Sequence, residues 1–264
     1  MRTNRLRELL ERDQPAVTGW LSVDSPYLAE VLSYGGYDAV TVDLQHGMFG
    51  LDRAITLLQA VSAGPAVPLA RCPSQDPGTI GKLLDAGAYG IVCPGVDTPE
   101  EAVAFVRACR YPPSGQRSFG PSRGLLYGGP DYVEHADATV LTWAMIESAS
   151  ALQHLDAILA TPGLDAVYVG PNDLALSLGE TPGRAEPPAS VMAALERIAL
   201  RARAADRWAG AFAPDAALAR RLVDLGYHMV TPGNDVGIIR QAVAERLAAV
   251  RGTGGGEVES RGGY

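Results

Sequence analysis

The stretch "AVTVDLQHGMFG", residues 39–50, begins as an apolar, β-branched run and ends by setting an acid, an amide and an imidazole close together: Asp43, Gln45 and His46. A short apolar run bounded by a glycine-containing turn reads as a buried strand. The amphipathic segment that follows it completes one strand-and-helix unit.

The same unit recurs along the chain. Candidate strands are "TGWLSV" (18–23), "AVTVDL" (39–44), "AVPLAR" (66–71), "YGIVCP" (89–94), "VLTWAMIE" (140–147), "DAVYVG" (165–170), "WAGAFA" (208–213) and "HMVTPG" (228–233). Between them lie segments such as "PYLAEVLSYGG", "DPGTIGKLLDAGA" and "DAALARRLVDLGY", each closing on glycine after an apolar face. Glycine suits a helix C-terminus, and Asp-Pro or Pro-Asp supplies the cap and first-turn proline of a helix start. Eight strands alternating with helices predict a (β/α)8 TIM barrel. An open, doubly wound dinucleotide-binding sheet is the weaker reading, because no Gly-x-Gly-x-x-Gly follows the first strand.

Residues 1–250 therefore read as one barrel domain, a usual size for 264 residues. The last residues, 251–264, "RGTGGGEVESRGGY", have no apolar periodicity and read as a flexible tail. Composition excludes several classes. A formal net charge of −8 with no clustered Lys/Arg stripe argues against nucleic acid. No apolar run reaches the roughly 18 residues of a membrane span, and acids interrupt the N-terminal leucine cluster where a signal peptide would be apolar. A cytoplasmic location is expected. Cys72, Cys93 and Cys109 lack metal-site spacing and read as buried thiols.

In such barrels chemistry collects where the strands end. Strand 2 delivers Asp43, Gln45 and His46; strand 3 delivers Arg71; strand 5 ends in Glu147; strand 6 opens into "GPNDL" with Asp173. Glu147 and Asp173 suit a divalent oxygen-ligand cation such as Mg²⁺ or Mn²⁺, able to hold a 2-oxo acid and stabilise an enolate. Arg71 suits an oxyanion, and His46 suits proton transfer near neutral pH. Asp85 lies at a helix end after strand 3, where pairing with His46 is one option. The single lysine, Lys82, sits on a helix between Gly81 and Leu83, so a Schiff-base mechanism has no evident nucleophile.

At these residues the sequence resembles the class II, metal-dependent pyruvate aldolases, the HpcH/HpaI-type hydroxy-oxo-acid aldolase family. The resemblance is carried by "VDLQHG" (42–47), "PLAR" (68–71), "LLDAGAYGIVCP" (83–94), "RYPPSGQRSFGPSR" (110–123), "MIES" (145–148) and "VYVGPNDLALSLG" (167–179), and runs from about Gly19 to about Ala248. It implies a phosphoenolpyruvate/pyruvate-type barrel that cleaves or forms 4-hydroxy-2-oxo acids through a pyruvate enolate and an aldehyde. His46 becomes the base, aided by Asp85. Arg71 becomes the enolate stabiliser, Glu147 and Asp173 become the ligands of Mg²⁺, Mn²⁺ or Co²⁺, and backbone from Gly170 through Pro171 and Asn172 to Asp173 meets the pyruvate carboxylate. It also implies a homo-oligomer, hexamer or trimer, with the last helix packed on a neighbouring subunit.

Two positions depart from the family pattern: Gln45 stands where many members carry Glu, and Met145 where many carry Gln. Other readings are a related enolate enzyme, either an acyl-CoA lyase or an oxaloacetate decarboxylase or enolate-trapping synthase, a phosphate-binding barrel, and a non-catalytic regulatory barrel. Prolines in "FAPDAA" and "TPGNDVG" count against the phosphate barrel. The Gly/Pro-rich residues 110–135 predict a long functional connection, expected to help shape the aldehyde side of the pocket, alone or together with a neighbouring subunit, with Arg117 and Arg123 as candidates for an acidic substrate tail.

Overall fold

The computed structural model describes residues 1–183 and 186–252; most of the expected tail, from 253 onward, lies outside the described residues. The strands are β1 (Ala16–Leu21), β2 (Ala39–Asp43), β3 (Val67–Arg71), β4 (Gly90–Cys93), β5 (Leu141–Ile146), β6 (Ala166–Val169), β7 (Trp208–Ala213) and β8 (Met229–Pro232). They close into one barrel in sequence order, every neighbouring pair parallel. The predicted (β/α)8 barrel is what the chain forms.

Thirteen helices among the described residues surround and plug it. They are α1 (Arg5–Glu11), α2 (Pro26–Tyr34), α3 (Leu51–Ala63), α4 (Pro77–Asp85), α5 (Pro99–Cys109), α6 (Arg123–Gly128), α7 (Tyr132–Thr139), α8 (Ala149–Gln153), α9 (Leu155–Leu159), α10 (Pro171–Ser177), α11 (Ala189–Ala204), α12 (Ala216–Asp224) and α13 (Asp235–Arg251). Local chemistry starts many of them: Ser25, Asp76 and Asp215 accept N–H groups of the first turn, and Thr98 with Glu101 forms a capping box.

Alternation divides the strands between two cores. Outward residues such as Val40, Val42, Ile91, Val167 and Ala211 pack under the helices. Inward residues such as Leu69, Trp143, Met145, Tyr168 and Met229 fill the barrel. Leu6 and Leu10 of α1 join that inner core, and Asn4 Nδ2 donates to the carbonyls of Tyr89 (3.1 Å) and Thr139 (2.8 Å). α1 thus stoppers the end where the strands begin.

Two expectations change. β1 spans 16–21 rather than 18–23: Ala16 N donates to His228 O at 2.8 Å, while the amides of Ser22 and Val23 leave the sheet for the Asp235 carboxylate. The connection 110–135 is not an open loop, for it contains α6 and enters α7. Gly124 and Gly128 of α6 lie against the Tyr132 ring, whose close approach leaves no room for side chains.

Candidate active site

The register sets Asp43 of β2 directly beside Arg71 of β3. Both point inward at the carboxyl-terminal mouth and both are buried, Asp43 at 0% and Arg71 at 4% exposure. Arg71 Nε donates to Asp43 Oδ1 at 2.8 Å and Nη2 to Oδ2 at 2.6 Å, the two-pronged pairing that fixes a guanidinium plane. Trp20 Nε1 donates to the same carboxylate at 3.1 Å, and the Arg71 guanidinium lies 4.9 Å from the centre of the Trp20 ring. Burial pushes the Asp43 carboxyl up, but the Arg71 hydrogen bonds and charge, helped by Trp20 and the His46 amide, hold it below its ordinary range.

Asp43 also shapes the turn that follows. Its Oδ1 accepts the amides of Gln45 (3.0 Å) and His46 (3.3 Å), and its carbonyl accepts Gly47 N at 3.2 Å. A side chain at Gly47 would collide with that carbonyl. The "DLQHG" sequence is therefore a carboxylate-centred turn that presents the exposed His46 at the rim.

Glu147 follows β5 on the inward alternation of Trp143 and Met145. Its Oε1 accepts Gly95 N at 2.7 Å, and a Cβ placed on Gly170 would come within 3.0 Å of Oε2. Burial raises the Glu147 carboxyl against the Gly95 hydrogen bond, and the nearby Asp173 charge raises it further. A buried carboxylate with a second acid beside it suits a cation. No cluster of three or more His, Cys, Asp or Glu side chains able to hold a metal occurs among the described residues; Glu147 and Asp173 are the two carboxylates that could serve a cation there. Asp173 is exposed in the first turn of α10, which Pro171 starts; Asn172 Oδ1 instead accepts Gly183 N at 2.9 Å and ties down the loop beyond.

Thus Asp43, His46, Arg71, Glu147 and Gly170 to Asp173 share the mouth. Asp85 does not share it within one chain. It closes α4, which has run back to the start of β4, and its carboxylate pairs with Arg117 Nη2 at 2.8 Å. Arg117 is no solvated arginine: its side chain is fully buried, donates to Tyr132 Oη at 3.0 Å and lies over the Tyr111 ring. Arg123 is half-buried and donates to Ala86 O at 2.6 Å. The 110–135 segment and both arginines thus sit at the end opposite the mouth, correcting the expectation that they shape this chain's own pocket.

Sequence reading passed over Trp20, Tyr168 and Phe212. Trp20 stacks on Tyr168 (ring centres 5.5 Å apart) and meets Phe212 edge-on at 6.4 Å. Strand alternation, which sets Thr18 and Trp20 on one face, was the available signal.

Residues 17–242 match the family model described as HpcH/HpaI aldolase/citrate lyase. The chain is 39% identical over 248 residues to the hydroxypyruvate/pyruvate aldolase of Rhizorhabdus wittichii, covering 94% of this chain and 99% of that one. It is 35% identical over 247 residues to the 5-keto-4-deoxy-D-glucarate aldolase of Citrobacter koseri, covering 93% and 95%. Among solved structures, an HpcH/HpaI aldolase/citrate lyase family protein from Burkholderia cenocepacia superposes with a TM-score of 0.88 at 34% identity, over 94% of this chain and 100% of the other. The chain belongs to the HpcH/HpaI aldolase/citrate lyase family, and it is an aldolase, a carbon–carbon lyase.

Proposed function

We propose that this aldolase cleaves or forms 4-hydroxy-2-oxo acids through the enolate of pyruvate or a hydroxylated pyruvate, at a divalent metal held by Glu147 and Asp173. The observation that carries the reading is the buried, two-pronged Asp43–Arg71 pair at the same mouth as Glu147, whose carboxyl is raised by burial and the Asp173 charge. When bound, the cation supplies Lewis acidity to the keto oxygen. Asp43 holds the Arg71 guanidinium in one plane, where its charge favours the enolate oxygen over the neutral ketone. Amides at the start of α10, around Asn172 and Asp173, meet the substrate carboxylate.

In the cleavage direction His46 removes the proton of the 4-hydroxyl. The C3–C4 bond breaks, its electron pair enters the enolate, and the aldehyde leaves. In synthesis the same imidazole returns the proton. Mg²⁺, Mn²⁺ and Co²⁺ all suit two carboxylates with open positions. The three free, buried cysteines fit a reducing, cytoplasmic setting.

Asp85 reaches a His46 only across a subunit boundary, so a catalytic role for it requires a homo-oligomer in which the strand-start end of one copy faces the mouth of the next. Its side chain is 23% exposed, and α13 carries the exposed Ile239, Val243, Leu247 and Val250, a stripe suited to a neighbouring subunit. We place the oligomer at a trimer or hexamer.

The test is proton exchange at the pyruvate methyl group in deuterated buffer, followed by NMR, because exchange requires an enolate and no aldehyde. Exchange is expected with Mg²⁺ or Mn²⁺ and its loss with excess chelator. Full exchange after verified metal removal would overturn the metal reading.

A further inference from the structure

We infer that Gln75, on the loop between β3 and α4, is a positioning residue for the Glu147 carboxylate: it holds Gly95, whose amide holds Glu147, so that cation affinity at the mouth depends on a side chain two hydrogen bonds away. The inference rests on the metal reading above and adds to it a residue which that reading does not use.

The link runs through one glycine. Gly95 follows β4 between buried Pro94 and Val96, is itself exposed, and has a φ of +64°. Glycine reaches that left-handed region without strain, but it moves as readily to other backbone conformations. Two side chains from other loops stop it. Glu147 Oε1 accepts the Gly95 amide at 2.7 Å, and Gln75 Nε2 donates to the Gly95 carbonyl at 2.6 Å. With both backbone groups taken, the amide that faces Glu147 has one orientation, and the carboxylate inherits it. Oε1 is committed to Gly95, while Oε2 lies on the Gly170 side, where a Cβ would come within 3.0 Å of it and where α10 begins with Asp173 in its first turn.

Gln75 is well placed to anchor this link. It is half-buried and immediately precedes Asp76, whose carboxylate starts α4 by accepting Thr79 N at 2.6 Å and Thr79 Oγ1 at 2.7 Å. The base of its side chain is thus tied to a helix start. The loops after β3 and β4 leave the sheet side by side, Cys72 N donating to Val92 O at 3.1 Å just past Arg71. Gln75, Gly95 and Glu147 therefore join the ends of β3, β4 and β5. An amide is the right group for the task, because a carboxylate of the same length would set an acceptor against the Gly95 carbonyl. Hydrogen-bond partners of metal ligands govern metal affinity by about 10- to 100-fold. Gln75 acts one bond further out, so a smaller effect is expected.

Gln75→Met keeps the length of the side chain and removes the donor. Mn²⁺ affinity of the full chain, read by electron paramagnetic resonance without substrate, should weaken about fivefold, the scale of one net hydrogen bond, while the metal-free melting temperature stays native. A Kd within about twofold of native would overturn the inference. The route is tested by placing Gln75→Met on Glu147→Gln, where it should add little to the loss already caused. An undiminished loss there would mean that Gln75 acts on the cation by another path, which also overturns it. Hydrogen–deuterium exchange at the Gly95 amide in metal-free protein keeps this inference apart from the metal reading, and it should quicken about fivefold in Gln75→Met. If the native protein bound no Mn²⁺, the metal reading would fail. Faster Gly95 exchange would still assign Gln75 to the positioning of Glu147, and unchanged exchange would overturn it.

Discussion

The two ends of the barrel use similar pairs for different ends. At the strand starts, Asp165 accepts from Arg7 Nη2 (2.8 Å), Arg110 Nη2 (2.8 Å), Thr142 N (2.9 Å) and Thr142 Oγ1 (2.9 Å). One carboxylate there ties α1, the end of α5, β5 and β6 together, both of its oxygens occupied. At the mouth, Asp43 is likewise shared between Arg71, Trp20 and two amides, yet beside it burial and the Asp173 charge raise the Glu147 carboxyl. A carboxylate with both oxygens taken by protein donors serves stability, whereas a buried carboxyl facing a second acid suits a cation.

That contrast sets the largest expected effect. Arg71→Ala should abolish methyl-proton exchange and aldol cleavage alike, a loss of about 10³-fold or more for removing an enolate-stabilising charge. Because it also strands Asp43, Arg71→Lys serves as the folding control: it keeps the charge but not the two-pronged geometry, so its melting temperature should stay near native while exchange remains strongly reduced. Native exchange in Arg71→Lys would make the pair a structural one like Asp165. His46→Ala should lose about 10² to 10⁴-fold in exchange and cleavage yet bind pyruvate and Mg²⁺ with near-native Kd. Exchange at the native rate would assign the base elsewhere.

Asp165→Ala should show the opposite profile. Leaving two largely buried guanidinium groups without their carboxylate costs about 3–5 kcal/mol, a fall in melting temperature on the order of 10 °C for a domain of this size. The kcat of the protein that remains folded should be close to native. A selective loss of kcat with native melting would erase the distinction between the ends.

The ends also meet, if Asp85 serves a neighbour's His46. Mixing His46→Ala protein with Asp85→Ala protein, after subunit exchange, should then restore activity to roughly a quarter of native by random pairing in a symmetric oligomer. No recovery, with exchange verified by native mass spectrometry, would confine Asp85 to its bond with Arg117.

How much of this was legible in the sequence follows from the same contrast. Asp43, Arg71 and Glu147 stand at the ends of apolar runs, so local patterning placed each at the mouth before their mutual contacts were known. The end of β1 was hidden because it is set by Asp235, more than 200 residues away in sequence. α6 and α7 were hidden because both are short and α6 holds two glycines, and their packing depends on Tyr132 against Gly124 and Gly128. The burial of Arg117 needed Asp85 and two tyrosine rings from separate segments. The position of Asp85 was available from topology alone, since a helix following β3 must end where β4 begins.

The smallest expected effect tests whether the mouth suits a cation in the sense argued. Burial, with the Asp173 charge, raises the Glu147 carboxyl in the folded chain. A carboxyl raised on folding favours the native state while it is protonated, below its unfolded value, and loses that contribution as pH rises through the folded value. In metal-free protein at neutral pH the ionised Glu147 therefore opposes folding. Glu147→Gln removes the charge and should raise the metal-free melting temperature by about 1–3 °C, with the advantage shrinking as pH falls below the unfolded carboxylate range near pH 4. Adding Mg²⁺ should reverse the order, because a cation that binds only the native state stabilises it in proportion to its affinity and the amide is the poorer ligand. Asp173→Asn should follow the same pattern more weakly, since Asp173 is exposed. If Glu147→Gln melted lower than native without metal and responded equally to Mg²⁺, Glu147 would be an acceptor for Gly95 and nothing more, and the mouth would be held together in the same way as the far end.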